Sequence, residues 1–404
     1  MDYTNGKNGA FSSQNIWSTE LRVIGLVDRK SPSSRRLPSG LRGLKGLKGC
    51  KNIHRRNYTE NPNFTFGGIM HFFDRWRAST KPRIPDAQEP AKKPDVDRTQ
   101  LRFSRRLKRI TEVGLLDLQP HQVFPPRSLM ETTSLLPEPV GLIGRDTPVG
   151  SMGSCFAREI RDYLIAEDYN YVQQGEGKDA EHGSAPWNRI YNTGCILQEI
   201  KRAFGEFEPD LLTGPDGRVY DPHRKQASYA SAEIAAAEMA LYRDQAKQAF
   251  LDSEVFVFTL GLSEVWYNDQ TGSIYAEAPP KAVYDHHRDK FKILSPEENT
   301  SNLDAALRLL KAYNPNIQIV ITVSPVPLRA TFVQRSAMIS NTVSKASLVW
   351  AAHEIARDLE YVHYFPSYEI VQYMIDDPFE WDFRHVKRDT VAQIMSIFHT
   401  AFVQ

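Results

Sequence analysis

The chain holds 404 residues, 41% of them hydrophobic, enough to bury a sizeable core and too many for a polar disordered tail. Its net charge of +1 conceals an asymmetry: residues 1–110 carry 24 Lys and Arg against 9 Asp and Glu, net +15, and the rest carries 26 against 40, net −14. Three cysteines, Cys50, Cys155 and Cys195, are too few and too scattered for a secreted disulfide framework, so free thiols and a reducing, cytoplasmic setting are expected.

In chain order, the first residues lack a basic start followed by an apolar run, and no stretch of about 18 apolar residues occurs, so neither a secretion signal nor a transmembrane segment is expected. Residues 1–115 read as a basic extension, partly disordered. Its stretch 29–56 mixes Ser, Pro, Gly and basic residues, which cannot build a core but offers a contact for a nucleic acid or another anionic surface. The glycines there lack the preceding strand and following helix of a phosphate-binding loop. Over residues 66–79, Phe66, Ile69, Met70, Phe73 and Trp76 recur at helical spacing and predict a short amphipathic helix. Residues 80–99 read as a Pro-rich, charged linker.

Residues 130–400 read as one domain. Short apolar runs at 149–154, 254–261, 317–325 and 360–367 alternate with long amphipathic stretches. Such alternation implies a mostly parallel sheet between helices, a three-layer α/β/α sandwich. No internal repeat of 20–50 residues suggests a solenoid.

In open parallel sheets ligands gather at the carboxyl ends of strands, so the residues after each run are the candidates. After the first come Gly153-Ser154-Cys155-Phe156-Ala157, opening a helix. A thiol or hydroxyl there meets a helix N-terminus, which is expected to lower a thiol pKa and to cradle an oxyanion. After the second run, Gly261-Leu262-Ser263-Glu264 reads as a turn with two polar side chains toward substrate. Near the C-terminus, Asp382 and His385 supply a carboxylate and an imidazole three residues apart, with Arg384 between them. Cysteine and histidine never take the close paired spacing of zinc sites, so no metal is expected.

The pentapeptide at 153–157 resembles the signature of GSCFA-domain proteins. Thr259-Leu260-Gly261, Glu264-Val265-Trp266, the run from Thr322 to Leu328, Asn341 with Ser344-Lys345, and Phe365-Pro366-Ser367-Tyr368 strengthen the resemblance, which covers roughly residues 130–400. These domains in turn resemble SGNH/GDSL hydrolases. The resemblance implies a late Asp-x-x-His pair at Asp382 and His385, a block glycine at Gly194, and a nucleophile at Cys155, with Ser154 as the alternative. The oxyanion position, an Asn in the wider group, falls on Ser263, leaving Ser263, Asn192 or backbone amides. What it implies for activity is an acyl-ester hydrolase or O-acyltransferase working on a small-molecule or glycan ester through an acyl-enzyme. No cofactor is implied, and acyl-CoA would be the donor for a transferase. The rival readings are a non-catalytic glycan- or ligand-binding module of the same fold, and a scaffold docking through its basic arm.

Overall fold

The computed structural model describes residues 120–125, 135–136 and 138–404, all within one unit, Glu89–Gln404. The basic extension and the helix expected at 66–79 lie outside the described residues.

Among the described residues, ten strands and six long helices follow in order: β1 Val149–Gly153, α1 Cys155–Ala166, α2 Thr193–Ala203, β2 Leu212–Thr213, β3 Val219–Asp221, β4 Ala227–Tyr229, α3 Ala232–Leu251, β5 Val255–Leu260, β6 Glu264–Asn268, β7 Ile274–Tyr275, β8 Asp289–Ile293, α4 Pro296–Tyr313, β9 Gln318–Val323, α5 Ala337–Asp358, β10 Val362–Phe365 and α6 Arg388–Phe402. Five of the helices start where a Ser or Asn side chain caps free N–H groups: Ser154, Asn192, Ser231, Ser295 and Ser336. At α4 the cap is reciprocal, because Glu298 also accepts from the Ser295 amide at 2.8 Å and Pro296 occupies the first turn.

The central sheet is parallel with strand order β1-β5-β9-β10. Gly153 pairs with Thr259, Thr259 with Thr322, and Thr322 with Phe365, so the four carboxyl ends stand at one level. Its strands are buried on both faces, as a sheet covered by helices requires. Phe256, Phe258, Leu260, Ile319, Ile321 and Val323 pack with residues of α2 to α5. Val255, Val257 and Val320, one position out of phase, pack with residues of α1 and α6. The two faces give the expected three-layer mixed α/β fold. Burying each of these side chains contributes about 1.5–3 kcal/mol before entropy is subtracted.

Two small antiparallel sheets are added to this frame, β2-β3-β4 and β7-β6-β8. The second corrects the reading of 261–264 as a simple turn. Glu264 begins β6, whose backbone is drawn into a ladder with β8 from Glu264↔Ile293 to Asn268↔Asp289. No helix among the described residues is long and apolar enough to cross a membrane.

Candidate active site at the carboxyl end of the sheet

The turn from β1 into α1 admits little variation. Gly153 has φ +141°, and a Cβ there would stand 2.3 Å from the Thr259 carbonyl oxygen. Only glycine fits. The close approach lets the Ser154 amide donate to both the carbonyl (2.9 Å) and Oγ1 (2.8 Å) of Thr259. The Ser154 hydroxyl lies 3.0 Å from Thr259 Oγ1 and accepts from the Phe156 amide at 3.3 Å. Ser154 is 2% exposed, so its hydroxyl serves as helix cap and strand tie. Cys155, the first residue of α1, is a free, partly exposed cysteine.

The depressed thiol pKa expected of a helix N-terminus does not hold. Burial pushes the Cys155 thiol above its ordinary value; Arg189 and Lys345 pull it down, Glu159 pushes it up and Arg384 pulls it down. Desolvation outweighs the cations, so the resting thiol keeps its proton at neutral pH.

The late pair forms a self-contained loop. Asp382 Oδ1 accepts from the amides of Arg384 and His385, both at 3.0 Å, while Oδ2 lies 2.6 Å from His385 Nδ1. Phe383 has φ +55°, the left-handed turn that aims both amides at the carboxylate. The His385 amide is the main cause that holds Asp382 down to about 2. Glu380 donates to the His385 carbonyl at 2.7 Å and closes the loop. The imidazole is 69% exposed, fixed through Nδ1. One guanidinium contact, Arg384 Nη2 to the Pro327 carbonyl at 3.4 Å, ties the loop to the segment after β9.

Several sequence candidates are committed elsewhere. The Asn192 side chain caps α2 through the Cys195 amide at 2.8 Å, and a Cβ on Gly194 would lie 2.2 Å from Ile274. The Ser263 amide donates to Ser344 Oγ (2.6 Å) and its hydroxyl to the Ser344 carbonyl (3.2 Å). Glu264 accepts from Thr331 at 2.6 Å. Gly261 packs against Tyr191, whose carbonyl takes the amides of Gly261 (2.7 Å) and Leu262 (3.0 Å). Ser263 and the 261–262 amides are therefore spoken for as oxyanion donors, whereas the cap engages Asn192 only through its accepting Oδ1.

Two groups carry the site's electrostatics that residue-by-residue reasoning left without a role. Lys345 is 1% exposed, and its ammonium donates to the carbonyls of Gly261 and Ser324, both at 2.7 Å. Burial lowers it to about 7, with the Cys155 charge acting the other way. Its signal was in the sequence: Lys345, Leu348, Ala352 and Ile355 share the buried stripe of α5, where a lysine has no ordinary place. Arg189 lies next to Ile190, whose amide donates to the Gly153 carbonyl at 2.8 Å. Only the folded chain reveals that tether.

Among the described residues no group of three His, Cys, Asp or Glu is placed to hold a metal ion. Fold and site together define an α/β domain with a cysteine at the first strand end and an Asp–His pair on a late loop. The chain belongs to the GSCFA family, whose model matches residues 148–398. No curated protein matches it. Solved structures similar to it include a carbohydrate esterase family 3 protein from Talaromyces cellulolyticus (10% identity, 62% of this chain and 94% of that one, TM-score 0.31). Others are a carbohydrate esterase family 2 enzyme with a carbohydrate-binding domain from Corynascus thermopiles (Myceliophthora fergusii; 10%, 65% and 66%, 0.28) and an acetyl xylan esterase from Butyrivibrio proteoclasticus (13%, 56% and 56%, 0.24).

Proposed function

We propose that this protein cleaves or transfers an acyl group on an oxygen ester, with Cys155 as nucleophile and His385 as base held by Asp382. The observation that carries the reading is that Arg384, one of the two residues between Asp382 and His385, donates to the carbonyl of Pro327 just after β9, at the end of the sheet where Cys155 opens α1. That contact supports reading the late loop and the first strand end as parts of one centre. Because the thiol is protonated at rest, it needs a base, and His385 has its Nδ1 bound and its ring exposed.

The thiol sulfur attacks the ester carbonyl while its proton passes to His385 Nε2. The tetrahedral oxyanion is held by a free first-turn amide of α1 and by the Lys345 ammonium, which uses two of its three donors on carbonyls. As the C–O bond breaks, His385 returns the proton to the departing alkoxide, leaving a thioester on Cys155. Water or an acceptor hydroxyl then attacks that thioester, giving its proton to His385, and the sulfur leaves to regain it. The carbohydrate setting follows the family resemblance, and Trp381 and Phe383, 90% and 79% exposed beside His385, offer faces for a sugar ring.

An aryl or thioester acyl donor should leave an acyl mass on the peptide carrying Cys155. A wild-type protein that binds glycan esters but never carries that adduct selects the binding-module reading, which the high thiol pKa favours.

A further inference from the structure

We infer that the Cys155 site is built for a substrate bearing a negative charge close to the reacting ester, a carboxylate or a phosphate, gripped by Arg189 and Arg384. The inference rests on Cys155 as the reacting atom but not on turnover. Three cations from three segments are anchored at the carboxyl end of the sheet where Cys155 opens α1: Lys345 donates to the Gly261 and Ser324 carbonyls, Arg384 to the Pro327 carbonyl, and Arg189 adjoins Ile190, whose amide donates to the Gly153 carbonyl; all three act on the thiol, with Glu159 as the opposing carboxylate. Arg189 and Arg384 make no ion pair among the described residues, unlike Arg158, Arg161, Arg202 and Arg224, each with a carboxylate within 4.0 Å.

More telling, Nε of Arg189 and Nε of Arg384 are both buried without a hydrogen-bond partner. A buried donor left unpaired costs about 1–3 kcal/mol, and a guanidinium more. A ligand oxygen would satisfy both donors. His182, near Arg189, is buried, uncharged at neutral pH and unbonded at Nδ1, so it brings no competing charge. Lys345 is already held by two carbonyls, so the two guanidinium groups have the planar, multidentate geometry left over for an oxyanion.

The test compares two alkylating reagents of nearly equal size, iodoacetate (anionic) and iodoacetamide (neutral), on the full-length protein, with Cys155 labelling read by peptide mass. Both attack the same thiolate, so the ratio of their rates cancels its population. The ratio at Cys155 should exceed that for N-acetylcysteine about tenfold and fall as salt is raised. Arg189→Gln and Arg384→Gln should each lower it about three- to tenfold while iodoacetamide labelling continues, which shows that the site is intact. Protection of Cys155 from iodoacetamide then separates the sources: D-glucuronate protecting better than inorganic phosphate assigns a sugar acid, and the reverse assigns a phosphorylated donor. A wild-type ratio no higher than that of N-acetylcysteine overturns the inference even if acyl transfer is demonstrated. A high ratio in a protein that never forms an acyl adduct leaves the anion site standing and removes the enzyme reading.

Discussion

The two halves of the candidate site are held in opposite ways. At the first strand end, Gly153 and Ser154 are buried, and the Ser154 amide and hydroxyl are tied into β5 through Thr259. On the late loop, Asp382, Arg384 and His385 are tied mainly to one another, and one contact to Pro327 joins them to the body. The proposed nucleophile is thus positioned by the core, and the proposed base by a local turn whose order comes from a single carboxylate. Chemistry and stability should therefore be inseparable on the first side and separable on the second, except at the partly exposed thiol.

The sharpest break is expected from Cys155→Ala. It should abolish the acyl adduct and all turnover while leaving the thermal midpoint where it was, because Ser154, not Cys155, carries the turn's hydrogen bonds. Adduct formation that survives and moves to Ser154 would transfer the nucleophile one residue back. Next comes His385→Ala, expected to slow turnover about 10²- to 10⁴-fold with no change in unfolding, since the ring is largely exposed. A variant that keeps its rate would sever the loop from the chemistry.

Much of this division was legible before folding. The four apolar runs at 149–154, 254–261, 317–325 and 360–367 became β1, β5, β9 and β10, because burial on both faces, broken in β10 only at half-buried His363 and Tyr364, leaves a plain apolar signature. The candidates named at the strand ends fared unevenly. Ser263, plausible by position, spends its amide and hydroxyl on Ser344, Asn192 spends its Oδ1 on the Cys195 amide, and the Asp382–Arg384–His385 loop reaches the body through the Pro327 carbonyl. A side chain's chemistry is visible in sequence; its prior commitments are not. β6 was missed because only its pairing with β8, some 25 residues away, makes a strand of Glu264–Asn268.

Lys345 tests whether the core side also sets the pH response. Its folded value of about 7 lies below the 10.5 it has when exposed, so between those limits the unfolded chain binds the extra proton. The sign follows: unfolding free energy gains from Lys345 as pH rises from about 7 to 10.5, and the full cost of burying the ammonium is present below 7. Lys345→Met should flatten that slope in denaturant titrations at several pH values. For the proposed acyl chemistry, an ammonium that holds the oxyanion predicts a fall in kcat/KM above about pH 7. Lys345→Met should lower the plateau and erase that falling limb; an unchanged limb would assign it to another group.

The smallest effect is expected at Ser154, where the comparison is most exposed to error. Ser154→Ala removes one cap acceptor for the Phe156 amide and one hydroxyl contact to Thr259, but keeps the backbone donation to Thr259 that sets the turn. Losing a cap of this kind costs about 0.5–2 kcal/mol. At the size of this domain that is about 2–4 °C in Tm per kcal/mol. Part of the activity should remain, because Cys155 still opens α1 and the thiol is untouched. Calorimetry beside adduct mass spectrometry on one preparation decides it. A stable Ser154→Ala protein without adduct would make the hydroxyl chemical rather than structural, and would reverse the assignment of the two neighbours.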